Sequence, residues 1–327
     1  MTNRIAVLGG LGALVASACI APIAHAAYPE KPIRIILPYT AAGTGDFLIR
    51  AVQPGLQQQL GKPVIIDYRP GASGNIGTQE VIKSAPDGYT LLLGPTNNFV
   101  INQFLYRNMG FDPLQALAPI AMLADTPALI LTNAANPART FGEFSAYARA
   151  NAGKLNYGST GNASVAHLSG YRLSDAIGAD MTHVPYNGTA PIVQALLANN
   201  VQMIIVSYGS TGPLIAAGKL RALAVASSER LKVLAAVPTT AEAGITPGLI
   251  PSGWWGIATV RGVDEAIILQ LNRELRAVLA TAELQKKYQD QGMNPVSISP
   301  AEFAERMAIE ARGWRTVIDK SGARPDN

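Results

Sequence analysis

Short β-branched runs alternate with runs of helical period along most of the chain. Ile33-Arg34-Ile35-Ile36-Leu37 is a near-continuous apolar run of strand length. Over residues 47–60, Leu48, Val52, Leu56 and Leu60 recur every four positions, one face of a helix, and Gly61 stops it. Val64-Ile65-Ile66 is the next strand. Residues 75–85 read as a short helix, Pro86-Asp87-Gly88 as a turn, and residues 89–93 as a third strand. After Pro127 the alternation resumes. It predicts strands over 128–132, 155–157, 181–184, 201–206 and 221–225, with helices over 141–151, 164–177, 190–198 and 211–217. Residues 254–259 read as a returning strand, and the tail as helices over 264–280, 282–291 and 300–320.

Two helix starts carry capping boxes, Thr140-Phe141-Gly142-Glu143 and Ser299-Pro300-Ala301-Glu302, the second with proline at the first helical position. Phe303, Met307, Glu310, Trp314 and Val317 lie along one side of the last helix, and the apolar members form a packing stripe. The β-α-β order predicts mostly parallel sheets covered by helices. The chain has two such stretches and no flexible linker, which predicts an α/β fold of two lobes joined by close crossovers.

The N-terminus stands outside this pattern. Arg4 is the only charged residue before Glu30, residues 5–23 are apolar or small, and Ala24-His25-Ala26 gives an A-x-A exit. This is a secretory signal peptide over residues 1–26, cleaved before Ala27. Cys19, the only cysteine, lies inside it, with Ala16 where a lipoprotein signal needs a bulky residue. The exported chain therefore has no thiol for disulfides, catalysis or metal binding, and fits a periplasm. Charge adds little: 26 Lys and Arg against 22 Asp and Glu, scattered rather than clustered, give nucleic-acid binding no support.

Catalytic motifs are sparse. The chain has neither a G-x-S-x-G elbow nor an H-E-x-x-H motif, and His167 and His183 are too far apart in sequence to suggest a metal pair. The strongest enzymatic signal is Gly43-Thr44-Gly45 between a strand and a helix, with Asp67 closing the second strand. That is most of a dinucleotide fingerprint, and the rival reading is an NAD-dependent oxidoreductase using the Gly43/Gly45 loop. Leu48 at the third glycine position and the long 38–45 loop speak against it.

The same loop suits an anion better. A Gly/Thr-rich loop opening a helix presents free backbone N–H groups, and the helix dipole favours negative charge there. Three loops have this form: Tyr39-Thr40-Ala41-Ala42-Gly43-Thr44, the 158–164 loop with Ser159, Asn162, Ala163 and Ser164, and Tyr186-Asn187-Gly188-Thr189-Ala190. The first belongs to one lobe and the others to the second, so they would face one another across a cleft. Asp46 either meets the ligand loop or caps its helix. His167 lies within a helix as either a ligand contact or a satisfied structural histidine. Asn97 and Asn98 follow the third strand, placed either toward the cleft or in a solvated loop. Trp254 and Trp255 read as packing or hinge residues.

Several blocks resemble one family. Tyr28-Pro29-Glu30-Lys31-Pro32-Ile33 resembles the mature start of the Bug receptors, the extracytoplasmic solute receptors of tripartite tricarboxylate transporters. Arg69-Pro70-Gly71-Ala72-Ser73-Gly74-Asn75, Ala85-Pro86-Asp87-Gly88-Tyr89-Thr90, His183-Val184-Pro185-Tyr186-Asn187-Gly188 and Val237-Pro238-Thr239-Thr240-Ala241-Glu242 follow in register. The resemblance implies a type II periplasmic-binding-protein fold and no enzymatic activity or cofactor. Lobe 1 would comprise residues 27–127 plus 252–327, and lobe 2 residues 128–251. It implies that loops 40–46 and 186–190 grip one carboxylate through backbone groups and bridging waters, with residues 159–167 defining the far end of the pocket. Tyr186 is expected to line it, and Ser207 stands with the ligand-facing candidates. The implied partners are a small carboxylate, integral-membrane permease subunits, or a sensor protein. The chain departs from the family pattern at Ala42, where a glycine pair is usual, at Ala163, where glycine is usual, and at Val206, where aspartate is common. Added methyls and a lost acid argue for a less polar ligand, an aromatic or aliphatic mono- or dicarboxylate rather than an amino acid.

Overall fold

A computed structural model describes residues 28–106 and 108–321; the signal peptide expected over residues 1–26, with Cys19, lies outside them. The chain opens β1 (Ile33–Leu37), α1 (Thr44–Leu60), β2 (Val64–Tyr68), α2 (Asn75–Ile82) and β3 (Thr90–Pro95). Then come α3 (Asn102–Leu105), α4 (Pro113–Ala116), β4 (Leu117–Thr126), β5 (Ala128–Asn133) and α5 (Phe141–Ala150). β6 (Asn156–Ser159), α6 (Val165–Ala176), β7 (Thr182–Pro185), α7 (Thr189–Leu197), β8 (Met203–Ser207), α8 (Gly212–Ala216) and β9 (Leu220–Val225) follow. β10 (Gly253–Val260), α9 (Glu265–Leu279), α10 (Ala282–Asp290), β11 (Asn294–Pro295) and α11 (Pro300–Ser321) complete it.

The strands form two sheets, in the orders β11-β4-β10-β3-β1-β2 and β7-β6-β8-β5-β9. Each belongs to one α/β lobe, as expected. The sheets are mixed rather than mostly parallel. β1 runs parallel to β2 and β3, but β10 is antiparallel to both β3 and β4. In the second sheet β5 is antiparallel to β8 and β9. The reason is that β4 leaves the first lobe and β5 enters the second through Pro127 alone, and β10 returns the chain. These crossing strands run against the βαβ units on either side. β4 was missed in the sequence because its near-continuous apolar run, Leu117-Ala118-Pro119-Ile120-Ala121-Met122-Leu123-Ala124, has Pro119 inside it. The proline is tolerated beside register shifts in the β4–β10 ladder.

The capping boxes form as the sequence dictates. Glu143 N–H donates to Thr140 Oγ1 at 3.2 Å, and Arg139 N–H to Glu143 Oε2 at 2.6 Å. Ser299 N–H donates to Glu302 Oε2 at 2.7 Å. Tyr89 N–H closes the 86–88 turn on Asp87 Oδ1 at 3.0 Å. The α11 stripe of Phe303, Met307, Trp314 and Val317 is buried against Phe99 and Trp254. Trp254 is fully buried and donates its indole N–H to Glu310 Oε2 at 2.8 Å. Burial pushes the Glu310 carboxyl above its ordinary range, partly offset by Arg306 and by that N–H. Trp254 is thus a packing residue. α6 of the second lobe and the loop before it lend Leu168 and Ala163 to the first lobe's core, so the lobes touch beside the cleft. Among the described residues no helix is long and apolar enough to cross a membrane.

Candidate functional site

Two chambers lie between the lobes. The inner one, about 290 Å³, is floored by the crossing strands at Thr126, Ala128, Gly253 and Trp255, and reaches Val206, Ser207 and Thr189. The outer one, about 480 Å³, runs from Tyr39 past Asn162, Ala163 and Ser164 to Ser73, Asn102 and Tyr106. Asn97, Thr160, Val165 and Ala166 border both, so the chambers meet at the start of α6. Among the described residues neither wall carries a Lys, Arg, Asp, Glu or His side chain.

The candidate residues fall into three groups. Asn97, Thr189 and Ser207 border the inner chamber, and Tyr39, Asn97, Asn162, Ala163 and Ser164 the outer one. Ala42, Gly43 and Asp46 line a separate, shallow depression with Phe47, Arg50 and Lys287. Thr40 and Ala41 are exposed, and Thr44 is half-buried at the start of α1. Tyr186 is half-buried and Asn187 exposed. Tyr186 packs with the second lobe's apolar cluster, and its N–H bonds Ser159 O at 3.0 Å. Val165, Ala166, Trp255, Ser73, Asn102 and Tyr106 are wall residues that the sequence left unmarked as site candidates. Only contacts between distant segments bring them to the cleft, and no local signal shows that.

The loops open helices that differ at their first turn. α6 is capped by Ser164, whose Oγ accepts the His167 N–H at 3.1 Å. α1 begins at Gly43 and α7 at Gly188, and neither has a side-chain cap. Their first-turn N–H groups therefore remain available to an anion. Gly188 sits at φ +104°, a conformation L side chains rarely adopt, which explains glycine there.

One device recurs in the two other loops. Ala42 and Ala163 both have left-handed backbone, φ 64° and 60°. The N–H of Ala42 bonds Asp46 Oδ2 at 2.9 Å, and the N–H of Ala163 bonds His167 Nδ1 at 2.9 Å. Each alanine is thus tied to the side chain four residues on, and its N–H is unavailable to a ligand. Asp46 also accepts from Arg50 Nε at 2.7 Å and from the Tyr68 hydroxyl at 2.5 Å. Burial opposes ionisation of Asp46, but the Tyr68, Ala42 and Arg50 bonds outweigh it and hold the carboxyl below its ordinary range. Of its two expected roles, Asp46 takes the first and meets the ligand loop, at the Ala42 N–H. It staples its loop.

His167 and His183 meet face to face, centroids 3.7 Å apart and planes within 1°, despite fifteen residues between them. Sequence separation misjudged their proximity. Stacked rings point their nitrogens past one another, and no group of three metal-ligating side chains occurs among the described residues. His167 Nδ1 accepts the Ala163 N–H, so the ring is neutral with its proton on Nε2. Burial pushes its pKa below the ordinary value. Ser159 Oγ donates to Gly161 O at 2.9 Å, so its 2.7 Å bond with His183 Nε2 has the histidine as donor. Ser159 and both histidines thus hold the 159–164 loop from behind.

Asn98 is buried rather than solvated. Its Oδ1 accepts from the Tyr39 hydroxyl at 3.0 Å, and its Nδ2 donates to Ser73 O at 3.1 Å. The dinucleotide elements have other employment. Asp67 pairs with Arg34 Nε at 2.7 Å and Arg69 Nη2 at 3.1 Å. Gly45 faces Trp255: a Cβ there would lie 2.5 Å from Trp255 Cζ3 and 2.6 Å from Leu37 Cδ1.

Two mixed α/β lobes, joined by crossing strands that floor an uncharged cleft with helix N-termini opening beside it, define a two-lobed solute-binding protein. Residues 48–323 match the model of the tripartite tricarboxylate transporter family receptor. The chain belongs to this family of periplasmic solute-binding receptors, which is not an enzyme class. It is 33% identical to Protein BugT of Bordetella pertussis, over 98% of this chain and 99% of that one. Rpa4515 of R. palustris, solved with adipate, superposes with a TM-score of 0.79 at 31% identity, covering 91% of this chain and all of that one. MatC from Rhodopseudomonas palustris, with bound malate, gives 0.75 at 28% identity, covering 89% and 100%.

Proposed function

We propose that this protein is exported through its N-terminal signal, binds a small carboxylate between its lobes in the periplasm, and delivers it to the membrane subunits of a tripartite transporter. The lobes divide near Pro127 and again near residue 252. The observation that carries the reading is the uncapped start of α7 at Thr189, bordering a wall with no charged side chain among the described residues. An anion there meets free N–H groups and no competing carboxylate. Thr40, Ala41, Gly43 and Thr44 form the opposing arm, brought in from the first lobe as the lobes close. Ser207, Asn97, Asn162 and Ser164 complete the polar contacts, and Tyr186, Asn187 and Gly188 shape the α7 loop. Rpa4515 and MatC, with adipate and malate, support a carboxylate.

Magnitudes limit what the helix ends do alone. Each contributes about 0.3–1 kcal/mol when exposed and up to about 2 when partly buried. Micromolar affinity needs about −8.2 kcal/mol. The remainder comes from lobe closure and desolvation against Trp255, Val165 and Val206. Closure is a population shift, stabilised because the ligand touches both lobes only in the closed state.

Thr189 supplies the test. Thr189→Pro removes one first-turn N–H while suiting the first helical position, and Thr189→Val keeps the N–H and loses the hydroxyl. Binding of a carboxylate found by thermal-shift screening, measured by calorimetry, should weaken about tenfold in Thr189→Pro relative to Thr189→Val, or about 1.4 kcal/mol. Equal affinities in the two variants would remove α7 from the grip. No stabilisation by any carboxylate would reject the function.

A further inference from the structure

The outer chamber has its own chemistry. At its far end, Asn102 is fully buried, and both Nδ2 protons are used: one goes to Ser73 O at 3.1 Å and one to Asn75 Oδ1 at 2.7 Å. That arrangement fixes the amide orientation. Its Oδ1 then has no hydrogen-bond partner. Buried carbonyl oxygens are nearly always paired, so an orphan on a cleft wall is unusual. Beside it, Ser73 Oγ accepts from the Tyr106 hydroxyl at 2.7 Å. Burial pushes the Tyr39 phenol well above its ordinary range, so it stays a neutral hydroxyl, committed to Asn98 and Ser73. Among the described residues no cation borders this end.

We propose that the outer chamber reads the end of the ligand opposite its carboxylate, and that Asn102 selects a neutral hydrogen-bond donor there, a hydroxyl or an amide N–H, over a second carboxylate. The proposal rests on the carboxylate-binding function above and narrows it to singly charged acids. A donor pairs with Asn102 Oδ1 on lobe closure. A carboxylate at the same place meets an unpaired carbonyl oxygen and, among the described residues, no positive side chain. Ionised groups buried without a partner are strongly disfavoured, whereas a donor relieves the orphaned acceptor.

The test compares three series of straight-chain acids of four to eight carbons: monocarboxylates, their ω-hydroxy acids and the α,ω-diacids. Affinities are measured by calorimetry at neutral pH with the purified protein and Asn102→Leu. At the best chain length the ω-hydroxy acid should bind about fivefold or more tightly than both the matching monocarboxylate and the diacid. Asn102→Leu should abolish the advantage over the monocarboxylate. A diacid that equals or exceeds the hydroxy acid in wild type overturns the proposal, and so does a hydroxy-acid preference that survives Asn102→Leu. The wild-type ranking decides alone if that variant does not fold. Binding by none of the three series rejects the carboxylate function itself, a result distinct from binding in the wrong order.

Discussion

Replacing Gly45 by alanine tests how the first ligand loop is anchored to the cleft floor. The added Cβ would stand 2.5 Å from Trp255 Cζ3, 2.8 Å from Trp255 Cη2 and 2.6 Å from Leu37 Cδ1. Leu37 is fully buried in the first lobe's core and has little room to withdraw. Trp255 is half-buried, touches Tyr39 edge-on at 5.7 Å and borders the inner chamber, so it is the group that moves. Overpacking of this kind costs about 1–3 kcal/mol. The gain from replacing a helical glycine by alanine is at most about 1 kcal/mol. The net effect is about 1–2 kcal/mol of destabilisation, a fall in Tm of roughly 1.5–3 °C for a chain of this size. Thermal unfolding followed by circular dichroism reads it. Trp255→Phe removes the two indole atoms in closest conflict, so Gly45→Ala should cost less in that background, with a coupling energy of about 0.5–1.5 kcal/mol. An unchanged or raised Tm in Gly45→Ala, or strict additivity with Trp255→Phe, would show that close packing does not hold glycine at this position.

Three further outcomes follow from the loops. Asp46→Ala leaves the Ala42 N–H and the Tyr68 hydroxyl without their acceptor and should cost about 2–3 kcal/mol in urea unfolding, against about 1 for Asp46→Asn, which keeps an acceptor. The Asp46 carboxyl is held below its ordinary value of 3.8, so its stabilisation is complete above that value and is lost as pH falls through the folded one. The acid limb of a stability–pH curve should therefore flatten in Asp46→Asn. His167 behaves with the same sign for a different reason: burial lowers its folded pKa below 6.5, so protons favour the unfolded chain. Stability should be unaffected above about pH 7 and decline below 6.5. A difference curve against His167→Gln isolates that decline, and parallel curves would contradict it. Ala163→Gly relieves a left-handed alanine and should be neutral or stabilising by up to about 1 kcal/mol, despite glycine's greater unfolded-state entropy.

Most of the framework was legible because its periodicities are local. The four-residue spacing of Leu48, Val52, Leu56 and Leu60 makes all four core residues of α1. The two capping boxes announce α5 and α11 through residues three apart. What stayed hidden depends on long-range pairing. Strand direction is not written in a strand's own apolar run, so the reversed β5 and β10 were invisible. The wall at Ser73, Asn102 and Tyr106 forms only because Ser73 packs against the turn of helix after β3. The stacked histidines meet because β6 and β7 pair in parallel, setting Tyr157 beside His183. Their roles in holding a loop from behind could not be inferred from spacing.

The two alanines show how a substitution can be read correctly and its consequence misplaced. At Ala42 and Ala163 a methyl replaces the usual glycine, which pointed to a less polar pocket. Yet both alanines keep the left-handed backbone that glycine favours, at a cost of about 1–2 kcal/mol each. The cost is offset locally, because Asp46 and His167 each accept the N–H that this conformation presents. Neither Ala163, on the outer wall, nor Ala42, in the depression beside α1, therefore offers a free N–H to a ligand. With those donors withdrawn, and with α6 capped by Ser164, the uncapped starts of α1 and α7 are the helix ends left to meet negative charge. Of these two starts only that of α7 borders a chamber, the inner one, and the described lining of the outer chamber carries no charged side chain, an asymmetry suited to an acid with a single carboxylate.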